Sequence, residues 1–69
     1  MEWFAIASSN LHEAAYSDDT HTLFVQFNNG SEYAYPNASK SLFNGLMNAS
    51  SAGRYHAAFI KHLPYRRLH

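Results

Sequence analysis

The chain of 69 residues contains no cysteine. Disulfides and thiolate metal sites are therefore excluded, and we expect a cytoplasmic location because a thiol-free chain fits a reducing compartment. Long apolar runs are also missing. No run approaches the roughly 18 residues of a membrane span, and no signal-peptide pattern opens the chain. We expect no membrane partner.

Net charge is absent as well, because five Lys and Arg balance five Asp and Glu. This neutrality argues against a protein that holds long nucleic acid mainly by charge. The charges are nevertheless segregated: every acid precedes Tyr33 and every base follows it. Two interpretations stay open, namely neutralisation within the fold or between subunits, and an anion site built by the second half of the chain.

The length fits a single domain over residues 1–69. A chain this short buries only about 60% of its unfolded surface, so its core is marginal. Aromatic residues must supply much of that core, and the chain has five Phe, five Tyr and one Trp. Because oligomerisation is the other usual remedy for a small core, we expect a homo-oligomer.

A β-hairpin over residues 22–35 is the clearest local signal. Side chains alternate with period two along residues 22–27, as they do in a strand. Asn28–Gly30 follows, and Asn and Gly tolerate the positive φ that tight hairpin turns require. The second strand carries Tyr33 and Tyr35, which share one face because strand side chains alternate.

The rest of the chain predicts further strands and two helices. Trp3–Ala7 is apolar throughout and suits a strand covered on both faces, whereas Leu11–Tyr16 fits helix or strand by pattern. Ser39 can cap a helix from Lys40 to about Ala49, whose apolar stripe can cover one sheet face. A second helix is predicted over Arg54–His62. The expected fold is a small α+β domain: an antiparallel meander of about three to four strands with one or two helices packed on one face.

The segment Ser50–Tyr55 contains the parts of a phosphate-binding loop. Gly53 lets backbone amides approach a ligand, and a helix start presents free N–H groups. The Arg54 guanidinium matches phosphate in a bidentate manner, while Ser51 and Tyr55 add hydroxyls and a stacking ring. An ordinary capped helix junction is the alternative interpretation.

The pair Tyr33 and Tyr35 also has two interpretations. Aromatic side chains on a strand can stack on bases, at about 1–3 kcal/mol per base. Alternatively, both rings pack beneath the first helix with their hydroxyls at the rim.

Catalytic and metal-binding patterns are missing. No two of the five histidines have the i, i+4 spacing of a helical zinc pair. Paired carboxylates are limited to Asp18 and Asp19 in a turn, and no nucleophile has a persuasive base partner. We therefore expect neither an enzyme nor a cofactor.

Several motifs stand in a fixed order along the chain: Ser8–Leu11, Ala15–Tyr16, Tyr33–Tyr35, and a helical pattern from Leu42 to Tyr55. Their order and spacing resemble the KTSC domain, found at the C-terminus of some lysyl-tRNA synthetases and as small free-standing proteins of bacteria and phages. The resemblance runs without gaps from Ser8 to Ile60. It implies that Leu11–Tyr16 is a strand.

The chain departs from the family pattern at two places. Ala15-Tyr16-Ser17 stands where Gly-Tyr-Asp is usual, and Ala38-Ser39 stands where Val-Pro is usual. Asp18 can serve the first turn instead, and Ser39 can cap the helix. The resemblance implies binding without catalysis, with RNA proposed for synthetase-linked members and a nucleotide signal for small phage members.

Three functional hypotheses follow. The first is a non-enzymatic binder of a small nucleotide, linear or cyclic, with ligand-binding residues Tyr33, Tyr35, Ser51, Gly53, Arg54, Tyr55, Lys61 and Arg66. In a phage, such an oligomer would sequester a host signalling nucleotide as an anti-defence protein. The second is an RNA-binding accessory module that uses the basic tail Lys61, Tyr65, Arg66 and Arg67. The third is a protein-interaction module in which the acidic half docks on the basic half of a neighbour.

Overall fold

The computed structural model describes all 69 residues and contains one five-stranded antiparallel sheet. The strands follow chain order across the sheet: β1 (Trp3–Ala5), β2 (Leu11–Ser17), β3 (Thr22–Phe27), β4 (Glu32–Tyr35) and β5 (Arg66–Arg67). Between β4 and β5 lie α1 (Lys40–Asn48) and α2 (Ala52–Tyr55), and α2 runs directly into a π-helical turn, His56–Ile60. The predicted α+β class is confirmed, with one strand more than expected because the tail forms β5.

The β3–β4 hairpin, the start of α1 and strand β2 form at the predicted positions. Gly30 adopts a φ of 91° in the β3–β4 turn, and the Phe27 amide donates to the Ser31 carbonyl at 2.8 Å. At the start of α1, the Ser39 hydroxyl accepts from the Leu42 amide at 3.2 Å, which confirms the predicted cap. Leu11–Tyr16 is a strand, as the family resemblance implied.

The helical layer covers one face of the sheet. Phe43 of α1 contacts Phe4 and Tyr16, with ring centroids 6.0 and 5.9 Å apart. The buried core between the layers combines sheet residues with residues from both helical segments, including Leu23, Val25, Leu46 and Ile60. The strand face that carries Tyr33 and Tyr35 therefore looks toward the helices.

The second helical segment differs from its prediction. It begins at Ala52, two residues before the predicted Arg54, and the π-helical turn ends it at Ile60. The Lys61 amide donates to the His56 carbonyl at 2.8 Å, a bond five residues apart. Both His56 and Ile60 are buried as a result. Such π-turns are often found at functional sites.

The first strand also differs from expectation. Trp3–Ala7 was predicted to be covered on both faces, yet β1 spans only Trp3–Ala5 and forms an edge of the sheet. Phe4 is 40% exposed, and Ala5 is exposed as well. The prediction was wrong because the helices lie on one face and β1 has a strand neighbour on one side only.

The helices are too short to span a membrane. The longest helix, α1, has nine residues, and no helix is long and apolar enough to cross a bilayer.

Candidate functional site

An open cleft of about 400 Å³ lies between the sheet and the second helical segment. Its volume falls within the range of roughly 300–1,000 Å³ that is typical of small-molecule sites. The lining residues come from five separate stretches of the chain: Asn10, Phe27, Tyr33, Tyr35, Gly53, His56, Ala57, Lys61 and Tyr65. No Asp or Glu is among them.

Aromatic rings form the sheet side of the cleft. The rings of Tyr33 and Tyr65 are nearly parallel, with centroids 5.1 Å apart and an interplanar angle of 7°. Phe27 packs against Tyr33 at 5.5 Å. Tyr65 reaches this position because Arg66 of β5 pairs with Ala34 of β4, which places the residue before it beside the two tyrosines. Its side chain remains 54% exposed.

A hydrogen-bonded pair forms the floor of the cleft. The Tyr35 hydroxyl and the His56 Nε2 atom are 3.0 Å apart. Burial raises the pKa of Tyr35 to about 12, with smaller contributions from the neighbouring tyrosines. Burial, and then the charge of Lys61, lowers the pKa of His56. Both side chains are therefore neutral at pH 7, and the positive charge in the cleft comes from Lys61.

The two tyrosines of the predicted pair differ in exposure. Tyr35 is 1% exposed and belongs to the core, where its hydroxyl is held by His56. Tyr33 is half-buried and forms part of the cleft wall. Arg67 of β5 lies over the Tyr33 ring, 5.9 Å from its centroid. Of these two tyrosines, only Tyr33 therefore has an accessible side chain at the cleft.

Four of the predicted ligand-binding residues meet in this cleft: Tyr33, Tyr35, Gly53 and Lys61. Gly53 lies close to the Ser8–Asn10 turn, and a Cβ atom there would be 3.0 Å from the Asn10 Oδ1 atom. A larger residue at this position would therefore require the Asn10 side chain to move by a few tenths of an ångström.

Four predicted residues lie outside the cleft. The Ser51 hydroxyl accepts from the Arg54 amide at 3.3 Å, so it caps α2 as the alternative interpretation held. Arg54 is exposed and lines none of the cleft. Tyr55 packs on α1, where a Cβ atom at Gly45 would overlap its hydroxyl. Arg66 pairs with Ala34 and so belongs to the opposite sheet face. The segment predicted as a phosphate loop therefore has the geometry of a capped helix junction, and Gly53 is its one residue that lines the cleft.

Four cleft residues were not predicted from the sequence: Asn10, Phe27, His56 and Ala57. Asn10 belongs to the Ser8–Leu11 motif and Phe27 to a predicted strand. Both residues were therefore used to predict the fold, and neither was given a binding role. His56 and Ala57 are brought in by the π-turn, which has no sequence signature. Tyr65 was predicted only as part of a basic tail.

The histidines do not gather into a metal site. No group of three His, Asp or Glu side chains is close enough to hold an ion. His56 interacts instead with aromatic neighbours, since its ring meets Phe27 edge-on at 5.3 Å.

A one-layer antiparallel sheet with helices on a single face and an aromatic cleft between the layers defines a compact class of small α+β domain. The KTSC domain family model matches residues 7–65, and the chain therefore belongs to the KTSC domain family. The crystal structure of a KTSC domain protein from Yersinia pestis is similar, with a TM-score of 0.90 and 26% sequence identity over 99% of this chain and 97% of that one. No curated protein matches the sequence significantly. The resemblance inferred from the motifs is confirmed.

Proposed function

We propose that this chain is a non-enzymatic module that binds a small nucleotide in the aromatic cleft. The observation that carries the proposal is the convergence of Phe27, Tyr33 and Tyr65 on one open space of about 400 Å³. Aromatic side chains on a sheet are a common platform for bases, worth about 1–3 kcal/mol per base. The exposed ring of Tyr65 and the half-buried ring of Tyr33 would hold the base.

The cations near the cleft suit a ligand with few phosphates. Lys61 lines the cleft, and Arg67 lies beside it over Tyr33. Two cations can neutralise one or two phosphates, whereas a polyanion favours a larger basic surface. The Asn10 side chain adds a polar group that can donate to phosphate or recognise a base edge. In this proposal Lys61 and Asn10 bind the phosphate, the role that the sequence suggested for Arg54 and Ser51.

The chemistry of the cleft supports binding without turnover. No carboxylate lines it, and its one histidine is engaged with the Tyr35 hydroxyl. Its lining also has no serine, threonine or cysteine, so the usual pairing of such a nucleophile with a free histidine or carboxylate base is not found there. A cytoplasmic protein of this kind would remove its ligand by mass action, and in a phage it would sequester a host signalling nucleotide.

The proposal is tested by native mass spectrometry of protein purified from a cell extract, followed by calorimetric titration with a panel of mono-, di- and cyclic nucleotides. We expect a bound mass of a few hundred daltons per site (about the size of one or two nucleotides) that absorbs near 260 nm after release, because stacking favours a base in the cleft. No mass excess together with no heat for any nucleotide would refute the proposal.

A matched pair of variants localises the site. Tyr65 and Phe59 are almost equally exposed, at 54% and 55%, but only Tyr65 lines the cleft. Tyr65→Ala should weaken nucleotide binding by about tenfold to a hundredfold, the equivalent of one lost stacking contact. Phe59→Ala should leave the dissociation constant unchanged. Equal effects of the two substitutions would place the ligand elsewhere.

RNA binding is the second candidate, and one observation favours it. The tail brings an exposed tyrosine, Tyr65, and an arginine, Arg67, to the same cleft edge, next to exposed Lys61. Stacking rings beside cations are also the means by which proteins hold single strands. The two candidates differ in their response to salt.

A further inference from the structure

The sheet face opposite the helices carries an apolar row that nothing in the chain covers. Across four neighbouring strands, the register places Trp3 opposite Ala15, Ala15 opposite Phe24, and Phe24 opposite Ala34. When an antiparallel sheet has one solvated face, polar residues normally occupy it. Four apolar residues in one row are therefore unusual for a face that meets only water.

Aromatic rings form the accessible part of this row. Ala15 and Ala34 are 0% exposed although no helix lies above them. Their shielding comes from larger neighbours: the half-buried rings of Trp3 and Phe24 lie on the same face, with centroids 6.3 Å apart. The row therefore presents two neighbouring aromatic rings above buried alanines. A copy of the same surface could pack its own two rings against them.

Charges of both signs lie on this face without partners in the chain. Glu13 and Glu32 flank Gln26 in the next row, and Arg66 continues the apolar row beyond Ala34. The one ion pair in the chain joins Lys40 and Asp18 on another part of the surface. The unpaired acids and base therefore remain available to a partner with the same mixture of charges.

We propose that this open sheet face is a homodimer interface, occupied by the same face of a second copy. In a two-fold contact, residue i of one copy meets residue j of the other, and residue j of the first copy meets residue i of the second. The surface must therefore be complementary to itself. This face can do so through the Trp3 and Phe24 rings and through two acids that lie near a base. Two sheets packed in this way would lie about 10 Å apart.

The chemistry of the face favours a second copy over nucleic acid. Glu13 and Glu32 would repel a phosphate backbone, and Arg66 alone does not offset them. The interface also leaves the aromatic cleft free, because Tyr33 and Tyr35 point to the helical side of the same strands. The dimer therefore stands independently of nucleotide binding.

Mass measurement over a dilution series tests the interface. We expect wild-type protein at twice the chain mass of 7.8 kDa, and Phe24→Arg at the single-chain mass. Phe59→Arg is the matched control, since Phe59 is exposed in the π-helical turn and should not affect assembly. A monomeric wild type, an assembly with an odd number of chains, or an unchanged mass for Phe24→Arg would each overturn the proposal.

Charge reversal supplies a test that does not disturb packing. Arg66→Glu should weaken the dimer by about tenfold or more, because the face of each copy would then carry three acids and no base. Adding Glu13→Arg and Glu32→Arg to this variant should restore dimerisation with all signs reversed. If circular dichroism shows that Phe24→Arg does not fold, the variants of the exposed Arg66 provide the test instead. Unchanged dimerisation of Arg66→Glu, or no recovery of dimerisation in the triple variant, would count against the interface.

Discussion

The protonation of His56 depends on its surroundings in the fold. It is 7% exposed and packs edge-on against Phe27, while its Nε2 atom bonds the Tyr35 hydroxyl. Burial disfavours the charged imidazolium, and nearby Lys61 disfavours it further. The folded protein therefore holds His56 neutral at a pH where the unfolded chain begins to protonate it.

The lowered pKa of His56 predicts how stability changes with pH. Between the folded pKa of His56 and its unfolded value of about 6.5, the unfolded chain binds more protons than the folded one. Its contribution to stability is complete above about pH 6.5 and is lost as the pH falls toward the lowered folded value. Urea unfolding at several pH values should show this loss.

Two histidine variants isolate the contribution of His56 from other effects of pH on stability. His56→Gln should flatten the pH dependence between neutral and mildly acidic pH, because the buried imidazole is gone. His62→Gln is the control, since His62 is exposed. If both variants keep the wild-type slope, His56 is not held neutral by the fold.

At the scale of the element, the junction before α2 shows how one motif can suggest two roles. Ser51, Gly53 and Arg54 have the residue types of a phosphate loop, yet Ser51 accepts a bond from the Arg54 amide and caps the helix. The element has only four α-helical residues before the π-turn begins. The helical segment that begins at this junction places His56, Ala57 and Lys61 in the lining of the cleft.

Substitution of the two serine caps separates structure from binding. Ser51→Ala and Ser39→Ala each remove one cap, and each should cost about 0.5–2 kcal/mol of unfolding free energy in urea titrations. Neither should alter nucleotide affinity, measured by calorimetry well below the unfolding midpoint. A selective loss of affinity in Ser51→Ala would restore the phosphate-loop interpretation.

At the scale of the whole molecule, the acids and bases that give a net charge of zero lie on different parts of the surface. The open sheet face carries Glu13 and Glu32 together with Arg66, whereas Lys61 and Arg67 lie at the cleft. The separation of acids and bases along the sequence is thus partly undone by the fold, because β5 returns Arg66 to the acidic strands. The basic area that remains at the cleft is small.

Salt dependence should distinguish a small nucleotide from RNA. A ligand with one or two phosphates held by two cations should lose about tenfold or less in affinity between roughly 50 and 200 mM salt. A single-stranded RNA that contacts six or more phosphates would lose about three hundredfold or more over this range. Fluorescence anisotropy with a labelled mononucleotide and a labelled single-stranded oligonucleotide measures both. A steep slope with the oligonucleotide bound more tightly would favour the RNA-binding module.

Much of the fold was determined by the sequence because it depends on neighbouring residues. The alternation in residues 22–27, the Asn28–Gly30 turn and the Ser39 cap act within a few residues, and each formed where predicted. The KTSC motifs added the assignment of β2, which pattern alone left open. The α+β class with helices on one face followed from these local signals.

The tertiary structure alone decided the composition of the cleft and of the open face. β5 has two residues, too few for a periodic pattern, and it exists because β4 offers it an edge. That pairing brings Tyr65 to Tyr33, while the π-turn directs His56 toward Tyr35. Contacts between residues far apart in sequence depend on strand register and layer packing rather than on local preference. For that reason the sequence indicated Tyr33, Tyr35, Gly53 and Lys61, but only the fold brought them together.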